Sequence, residues 1–182
     1  MNNTIYVVRH GQTDWNVQGL LQGRADNPLN EVGRQQAHKT AAELKGIKFD
    51  AAYSSPLCRA SETCEIILKD NEFGGAILLD DRIRERNFGP FEGGLVPEYL
   101  SRDPWNIDKE NLDGAEPISD VMNRVHNFLD EIKANHSNKN ILITCHSGAM
   151  RAIYFYFNEF PQSGDLYKEY RAGNAAVSIY NL

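Results

Sequence analysis

Two histidines stand where short, largely apolar runs of the sequence end. His10 follows Ile5–Val8 and Arg9, and His146 follows Asn140–Cys145. A neutral imidazole carries a lone pair that can attack phosphorus at neutral pH. The guanidinium of Arg9 stays charged and can pair with two oxygens of one phosphate. These residue types predict a site that transfers a phosphoryl group.

A second cation and a carboxyl group stand at comparable positions farther along the chain. Arg59 opens the helix predicted after the second strand, and Glu85 lies in the loop after the third strand. A carboxyl group can protonate the leaving oxygen of a phosphate ester. A helix predicted to begin at Ser147 turns its N-terminus towards the same place, and helix N-termini favour anions. Nucleophile, cations and proton donor are the parts that phosphoryl transfer without a metal requires.

The elements that must position these residues alternate between strand and helix. The predicted strands are Thr4–Val8, Ala51–Tyr53, Ala76–Leu79, Asn140–Cys145 and Ala175–Tyr180. The predicted helices are Glu31–Lys45, Leu57–Lys69, Asp120–Asn135 and Ser147–Phe157, with a short helix near 97–101. A polar loop is expected between the first strand and about Leu29, and residues 80–117 are expected to be irregular. The alternation predicts an α/β domain with a largely parallel sheet.

The order of these elements predicts where the site lies. Sites in open α/β folds lie beyond the carboxyl ends of the strands. Arg9 and His10 follow the first predicted strand, and His146 follows the fourth. We therefore expect both histidines at the same edge of the sheet.

Composition and charge exclude several classes of protein. The chain has 182 residues, of which 41% are apolar and 24% charged, and this predicts one globular domain over residues 1–182. A net charge of −6 without a Lys/Arg run argues against a nucleic-acid partner or a membrane surface. The N-terminal segment lacks the basic region of a signal peptide, and the apolar-rich stretch Ala149–Phe157 is too short to span a bilayer. Three cysteines without metal-ligand spacing predict free thiols and a cytoplasmic protein.

Five blocks of the sequence, in order, resemble the histidine phosphatase superfamily, also called the phosphoglycerate mutase-like family. A lone Arg-His-Gly triplet is a weak signal, but here Arg9-His10-Gly11 continues through Thr13, Trp15 and Asn16. The later blocks are Gln22–Gly33, Ser-x-Leu-x-Arg-Ala-x-x-Thr at residues 55–63, Glu-Arg-x-x-Gly-x-Phe-Glu-Gly at Glu85–Gly93, and the segment from His146, with a closing strand after Asn174. The resemblance covers essentially the whole chain.

The resemblance implies a fold, a reaction and a set of roles. The fold would be a three-layer α/β/α sandwich with a mostly parallel mixed sheet, and the reaction would be the hydrolysis of a phosphate monoester. His10 would be the nucleophile that forms a phosphohistidine, and Glu85 would protonate the leaving oxygen and then activate water. Contacts to phosphate or substrate would come from Arg9, Asn16, Gln22, Gly23, Arg59, His146 and the backbone N–H of Ser147. No metal and no organic cofactor are implied.

Other interpretations stay open. A cofactor-dependent phosphoglycerate mutase would use the same His10 and Glu85, but only 61 positions separate Glu85 from His146, fewer than mutases have, which favours a phosphatase. A non-catalytic phosphate- or phosphoprotein-binding module is a further alternative, and the intact site residues argue against it. Glu85 could also belong to a solvated run of charges. The substrate could be alpha-ribazole phosphate, a sugar phosphate or a broad range of esters, chosen by residues 80–118 and 20–26, and the sequence does not decide between monomer and homodimer.

Two positions depart from the family's pattern. Ser147-Gly148 stands where two glycines often follow the second histidine, which keeps the backbone donor and adds a hydroxyl. Pro117 stands where a serine is common, so the loop before the next helix is expected to take another path.

Overall fold

The structure, a computed structural model, describes residues 2–109 and 114–182. Its strands are β1 (Thr4–Arg9), β2 (Ala51–Ser54), β3 (Ile77–Leu79), β4 (Asn140–Cys145) and β5 (Val177–Asn181). Its α-helices are α1 (Asp14–Val17), α2 (Glu31–Glu43), α3 (Cys58–Asp70), α4 (Val96–Leu100), α5 (Ile118–Asn135), α6 (Ser147–Phe157) and α7 (Leu166–Glu169). Short 3-10 helices lie at Asp81–Ile83, Gly89–Phe91 and Ile107–Lys109. Residues 110–113 of the segment predicted to be irregular lie outside the described residues.

The strands form one mixed sheet in the order β3-β2-β4-β1-β5. The first four strands run parallel, and β5 runs antiparallel beside β1. In the register of β1 with β4, Arg9 lies opposite Cys145, so His10 and His146 leave the sheet side by side. The predicted mostly parallel mixed sheet is confirmed, and the two histidines lie at one edge as expected.

Helices cover both faces of the sheet. Val7 belongs to a core that includes Phe128 of α5 and Ile153 of α6. The next residue of β1, Val8, belongs to a second core that includes Ile67 of α3. Successive side chains of a strand face opposite sides, so one apolar run serves both cores. The three-layer α/β/α arrangement is therefore confirmed.

The longest helix, α5, buries the apolar face that its sequence predicts. Val121, Val125 and Phe128 on this face are completely buried. The helix begins at Ile118 rather than Asp120, and the residue at its N-cap is Pro117, which makes no side-chain cap. Apart from Ala134, the exposed residues of this helix are polar or charged. Among residues 2–109 and 114–182, no helix is both long enough and apolar enough to cross a membrane.

Two four-residue helices lie in segments for which the sequence predicts no helix. Helix α1 starts at a capping box in which the Thr13 side chain accepts from the Asn16 N–H and the Asn16 side chain accepts from the Thr13 N–H. Helix α7 starts where the Asp165 side chain accepts from the Tyr167 N–H. Helices this short carry no apolar period, so cap residues are the usable signal in the sequence.

A contact between two glycines holds the loop after β1 against α2. A Cβ atom on Gly11 would lie 2.4 Å from the Gly33 carbonyl oxygen, and one on Gly33 would lie 2.1 Å from the Gln12 carbonyl oxygen. The Gly11 N–H also donates to Thr63 Oγ1 of α3 at 3.1 Å. The residue that follows His10 is thus fixed against two helices at once.

Candidate active site

His10 is held in one tautomer by the backbone around it. The backbone N–H of His10 donates to the Cys145 carbonyl at 3.0 Å, which ties the residue to the end of β4. Its ring Nδ1 lies 2.7 Å from the Gly11 carbonyl oxygen. A carbonyl can only accept a hydrogen bond, so Nδ1 carries the proton and the lone pair is on Nε2. His10 is 3% exposed and lines a cavity at the edge of the sheet.

Burial and neighbouring cations keep His10 neutral. Burial is the main reason that the pKa of His10 lies well below 6.5, and the positive charges of Arg59 and Arg9 lower it further. Since a neutral imidazole is the nucleophilic form, the Nε2 lone pair is available across the physiological pH range.

His146 lies directly beside His10 and is completely buried. The two ring centroids are 5.2 Å apart. His146 Nε2 lies 2.8 Å from Ser55 Oγ, which also accepts from the Leu57 N–H. His146 Nδ1 has no hydrogen-bond partner in the described part of the chain. In the tautomer that carries its proton on Nδ1, the ring can donate to a phosphoryl oxygen next to His10, and this contact would satisfy the orphaned atom.

Two arginines, one half-buried and one fully buried, bring positive charge to the same place. Arg59 is 0% exposed, and its Nη1 and Nη2 donate to the carbonyls of Ala25 and Gly23, each at 2.7 Å. Arg9 Nη1 donates to the Ala172 carbonyl at 2.6 Å. Neither guanidinium pairs with a carboxylate among the described residues, and neither Nε has a partner there. Their carbonyl contacts fix them in place while leaving donors and charge for an anion.

Glu85 reaches the site from the loop after β3 and is 8% exposed. Its Oε1 accepts from the N–H of Arg86 at 2.8 Å and from that of Gly148 at 3.0 Å, and its Oε2 lies 3.1 Å from the Gly148 N–H. Gly148 is in the first turn of α6. The carboxyl group is thus held at a helix N-terminus, and Oε2 keeps a free lone pair for a proton.

The remaining predicted contacts also line the cavity, which has a volume of about 380 Å³. Asn16 Oδ1 accepts from Asn174 Nδ2 at 3.1 Å, which leaves the Asn16 NH₂ group as the end that can donate to a ligand. Gln22, Gly23 and Ser147 line the same cavity. His146 is not among the residues that line the cavity but lies beside His10, with ring centroids 5.2 Å apart. The structure thus brings together every residue that the sequence predicts for the site.

Other residues of the cavity were not predicted from the sequence. The ring of Trp105 contacts two buried guanidiniums, with Arg86 4.8 Å and Arg151 4.3 Å from its centroid. Arg151 is a charged residue inside the apolar-rich stretch after His146, and this is the signal that could have identified it. Tyr99 lies in the short helix predicted near 97–101, within the segment predicted to choose the substrate, but the sequence does not single out this residue.

A metal centre finds no support in the described ranges of the chain. Within residues 2–109 and 114–182, no three His, Cys, Asp or Glu side chains come together so that they could hold a metal ion. Apart from Glu85, the described groups around His10 are cations and neutral donors, a set that attracts an anion.

The two buried histidines predict that acid weakens the fold. In the unfolded chain both take up a proton near pH 6.5, but burial holds the pKa of His10 and that of His146 well below 6.5 in the folded protein. Below pH 6.5 the unfolded chain therefore binds protons that the folded protein does not bind. The free energy of unfolding then falls as the pH falls, by up to about 1.4 kcal/mol per pH unit for each histidine, whereas above pH 6.5 these two groups do not change it. The free energy of unfolding, measured by urea denaturation, should decrease less between pH 7.0 and pH 5.5 for His10→Gln than for the wild type. An equal loss would contradict the prediction.

Comparison with known proteins gives the family. The model "Histidine phosphatase superfamily (branch 1)" matches residues 5–182. A Bacillus subtilis (strain 168) protein, "Uncharacterized phosphatase PhoE", is 37% identical over 150 residues, which are 82% of this chain and 74% of that protein. A "2,3-bisphosphoglycerate-dependent phosphoglycerate mutase" of Rhizobium etli (strain CIAT 652) is 32% identical over 181 residues, which are 91% of this chain and 84% of the mutase. The solved structure of "Bacillus stearothermophilus YhfR" has a TM-score of 0.86 at 30% identity, covering 97% of this chain and 90% of that one.

These matches agree with the geometry of the cavity. The family match runs through β1 and all the later blocks that the sequence predicts. The predictions of the family and of a phosphatase within it are confirmed. This chain belongs to the histidine phosphatase superfamily, branch 1.

Proposed function

We propose that this chain is a single-domain enzyme that hydrolyses small phosphate monoesters through a phosphohistidine on His10 Nε2. The lone pair of Nε2 attacks phosphorus, the bond from phosphorus to the alcohol oxygen breaks, and Glu85 gives that oxygen a proton. A water then attacks the phosphohistidine while Glu85 takes the proton of the water. The bond between phosphorus and nitrogen breaks, which releases inorganic phosphate and restores His10.

The cations and neutral donors are assigned to the phosphoryl oxygens. Arg9 and Arg59 balance the charge that the transferring group carries, and His146 Nδ1 donates to one of its oxygens. Asn16, Gln22, Gly23 and the N–H of Ser147 complete the set of donors. All of these groups act without a metal or an organic cofactor.

One observation carries the proposal. The Gly11 carbonyl fixes the proton of His10 on Nδ1 at 2.7 Å, so the lone pair is on the nitrogen that can face the cavity. A structural histidine needs no such arrangement, and two arginines without carboxylate partners beside it would be costly to bury. A nucleophile next to unpaired cations supports phosphoryl transfer over a passive binding module.

A phosphatase is favoured over a mutase by the length of the chain that covers the site. His146 follows Glu85 by 61 positions, and a cover shorter than that of the mutases admits water to the phosphohistidine. Water rather than a second phosphoglycerate would then accept the phosphoryl group. The substrate is a small phosphorylated metabolite, with alpha-ribazole phosphate, a sugar phosphate or several esters as candidates. The free thiols of Cys58, Cys64 and Cys145 support a cytoplasmic enzyme.

The test is a hydrolysis assay with the purified full chain. We expect release of phosphate from p-nitrophenyl phosphate and from a panel of phosphorylated metabolites, at rates that EDTA leaves unchanged. With 3-phosphoglycerate and 2,3-bisphosphoglycerate, we expect release of phosphate rather than 2-phosphoglycerate. Formation of 2-phosphoglycerate as the main product would show that the protein is a mutase. The absence of turnover with any ester would contradict both enzymes and favour the non-catalytic binding module.

The contact between Gly148 and Glu85 gives a prediction about the proton donor. A Cβ atom at position 148 would lie 2.1 Å from Glu85 Oε1 and 3.0 Å from the Trp105 ring, so Gly148→Ala must displace the carboxyl group. We expect kcat/KM for glycerol 1-phosphate to fall about 10²-fold, which is typical for a catalytic group displaced by about 1 Å. Gly74→Ala is the matched control because a Cβ atom at Gly74 meets nothing within 4 Å. Full activity of Gly148→Ala would mean that Glu85 is not held as described.

A further inference from the structure

Tyr99 places an unsatisfied hydroxyl in the wall of the catalytic cavity. The side chain lies on α4, is 4% exposed and lines the cavity. Its Oη has no hydrogen-bond partner within residues 2–109 and 114–182. Native proteins seldom leave a buried polar group without a partner, and at the wall of a cavity a bound ligand can supply the partner.

The position of this hydroxyl is fixed by packing and by the backbone. The Tyr99 ring makes an edge contact with Phe88, with centroids 5.1 Å apart, and lies 5.4 Å from Phe91. Helix α4 is joined to the loop after α1, because the Val96 N–H donates to the Gly19 carbonyl at 2.9 Å. Burial raises the pKa of Tyr99 to about 12, so the group stays an O–H that can both donate and accept. The hydroxyl is therefore a rigid group that is ready for a partner.

A second residue that lines the cavity also carries an orphaned atom. Gln22 is 8% exposed, and its Oε1 also lacks a partner in the described ranges. The apolar residues that line the cavity include Leu20, Leu21, Phe88, Val96 and Leu100, of which Phe88 contacts the Tyr99 ring and Val96 and Leu100 share helix α4 with it. Isolated polar atoms in an apolar wall are typical of sites that orient a small molecule through a few contacts.

The charges of the cavity narrow the chemistry of the group that Tyr99 would contact. Among the described residues that line the cavity, Arg9, Arg59, Arg151 and Arg171 carry positive charge, and Glu85 is the carboxylate. A substrate ammonium group would therefore enter a cavity in which cations outnumber carboxylates. An uncharged oxygen would find a donor in the Tyr99 hydroxyl, and a hydroxyl group would also find an acceptor in Gln22 Oε1.

We propose that Tyr99 is a specificity-determining residue whose hydroxyl hydrogen-bonds an uncharged hydroxyl or carbonyl oxygen on the alcohol half of the substrate. The phosphoryl group lies at His10, and the alcohol half extends along the apolar wall towards α4. The preferred esters are then those of polyol-like or carbonyl-bearing alcohols rather than of simple alkanols or amino alcohols. This inference rests on the proposed function and adds the class of leaving group.

The experiment compares two esters that differ in hydroxyl groups. Wild-type enzyme and Tyr99→Phe are assayed with glycerol 1-phosphate and n-propyl phosphate. A site built for a hydroxyl discriminates against the analogue that lacks it, so we expect the wild type to prefer glycerol 1-phosphate by about tenfold or more in kcat/KM. Tyr99→Phe should lose most of this preference, with kcat/KM falling about tenfold for glycerol 1-phosphate and changing less than about twofold for n-propyl phosphate.

Controls separate the specific role from a structural one. Tyr156→Phe removes a hydroxyl that donates to Asp130 at 2.6 Å on another face of the protein, and should change neither rate. Removing a buried orphaned hydroxyl should leave the melting temperature of Tyr99→Phe unchanged or raise it. An equal loss on both esters, or no loss on either, would overturn the role of Tyr99 while leaving the phosphatase intact. Failure of the wild type to hydrolyse any ester would instead overturn the proposed function.

Discussion

His10→Ala is expected to lower turnover of p-nitrophenyl phosphate by at least about 10³-fold, the scale of loss when an enzyme loses its nucleophile. The nitrogen that forms the covalent intermediate is absent, and no other described group that lines the cavity has a free nucleophilic lone pair of the same kind. Arg9 and Arg59 remain, so the variant should still bind a phosphate ester. The measurement is steady-state release of nitrophenol together with trapping of phosphoenzyme, which the variant should not form.

The matched control for this variant is His38→Ala. His38 is exposed on α2 and pairs with Asp70, with Nδ1 2.6 Å from Oδ2, outside the catalytic cavity. We expect its activity to equal that of the wild type. Retention of more than a few per cent of activity in clean His10→Ala protein would remove His10 from the nucleophilic role.

The sequence predicts the two strand ends of the site well because each of them follows a recognisable apolar run. The apolar runs before Arg9 and before His146 are long enough to specify buried strands, and parallel neighbours must deliver their following residues to one edge. The observed register of Arg9 opposite Cys145 agrees with this expectation. Residues that follow a buried strand are thus predictable from pattern alone.

The cover of the site is not predictable in the same way. Helix α4 has five residues, and the loops around it are held by contacts between residues distant in sequence, such as the Leu21 N–H with the Gly94 carbonyl. Such contacts carry no local period. The sequence therefore predicts that residues 80–118 choose the substrate, but it does not show that Tyr99 and Trp105 are among the side chains that line the cavity.

Ser147-Gly148, which departs from the two glycines of the family's pattern, also shows what the sequence alone does not reveal. The family's pattern marks both positions as sites where glycine is common, without saying which one needs it. In the structure, Ser147 lines the cavity, whereas a Cβ atom at position 148 would overlap Glu85. The serine is tolerated because its side chain has room, and the glycine at 148 is required because the carboxyl group occupies the space.

Glu85→Gln is expected to separate the two halves of the reaction. The amide keeps the size of the side chain and an oxygen that accepts from the Gly148 N–H, but it cannot give a proton to the leaving oxygen. An alkoxide leaves poorly without that proton, so kcat/KM for glycerol 1-phosphate should fall about 10²- to 10⁴-fold. Nitrophenolate leaves without help, so kcat/KM for p-nitrophenyl phosphate should fall less than about tenfold.

The second half of the reaction gives an independent readout for the same variant. Because the base that activates water is also lost, the phosphohistidine should persist, and Glu85→Gln should release a burst of nitrophenolate before slow turnover. Glu98→Gln, which changes an exposed carboxylate on α4, is the matched control and should behave as the wild type. Equal losses of kcat/KM on the two esters, without a burst, would mean that Glu85 does not move the proton. Its contacts with the N–H groups of Arg86 and Gly148 would then be purely structural, and the donor would have to be another group in the cavity.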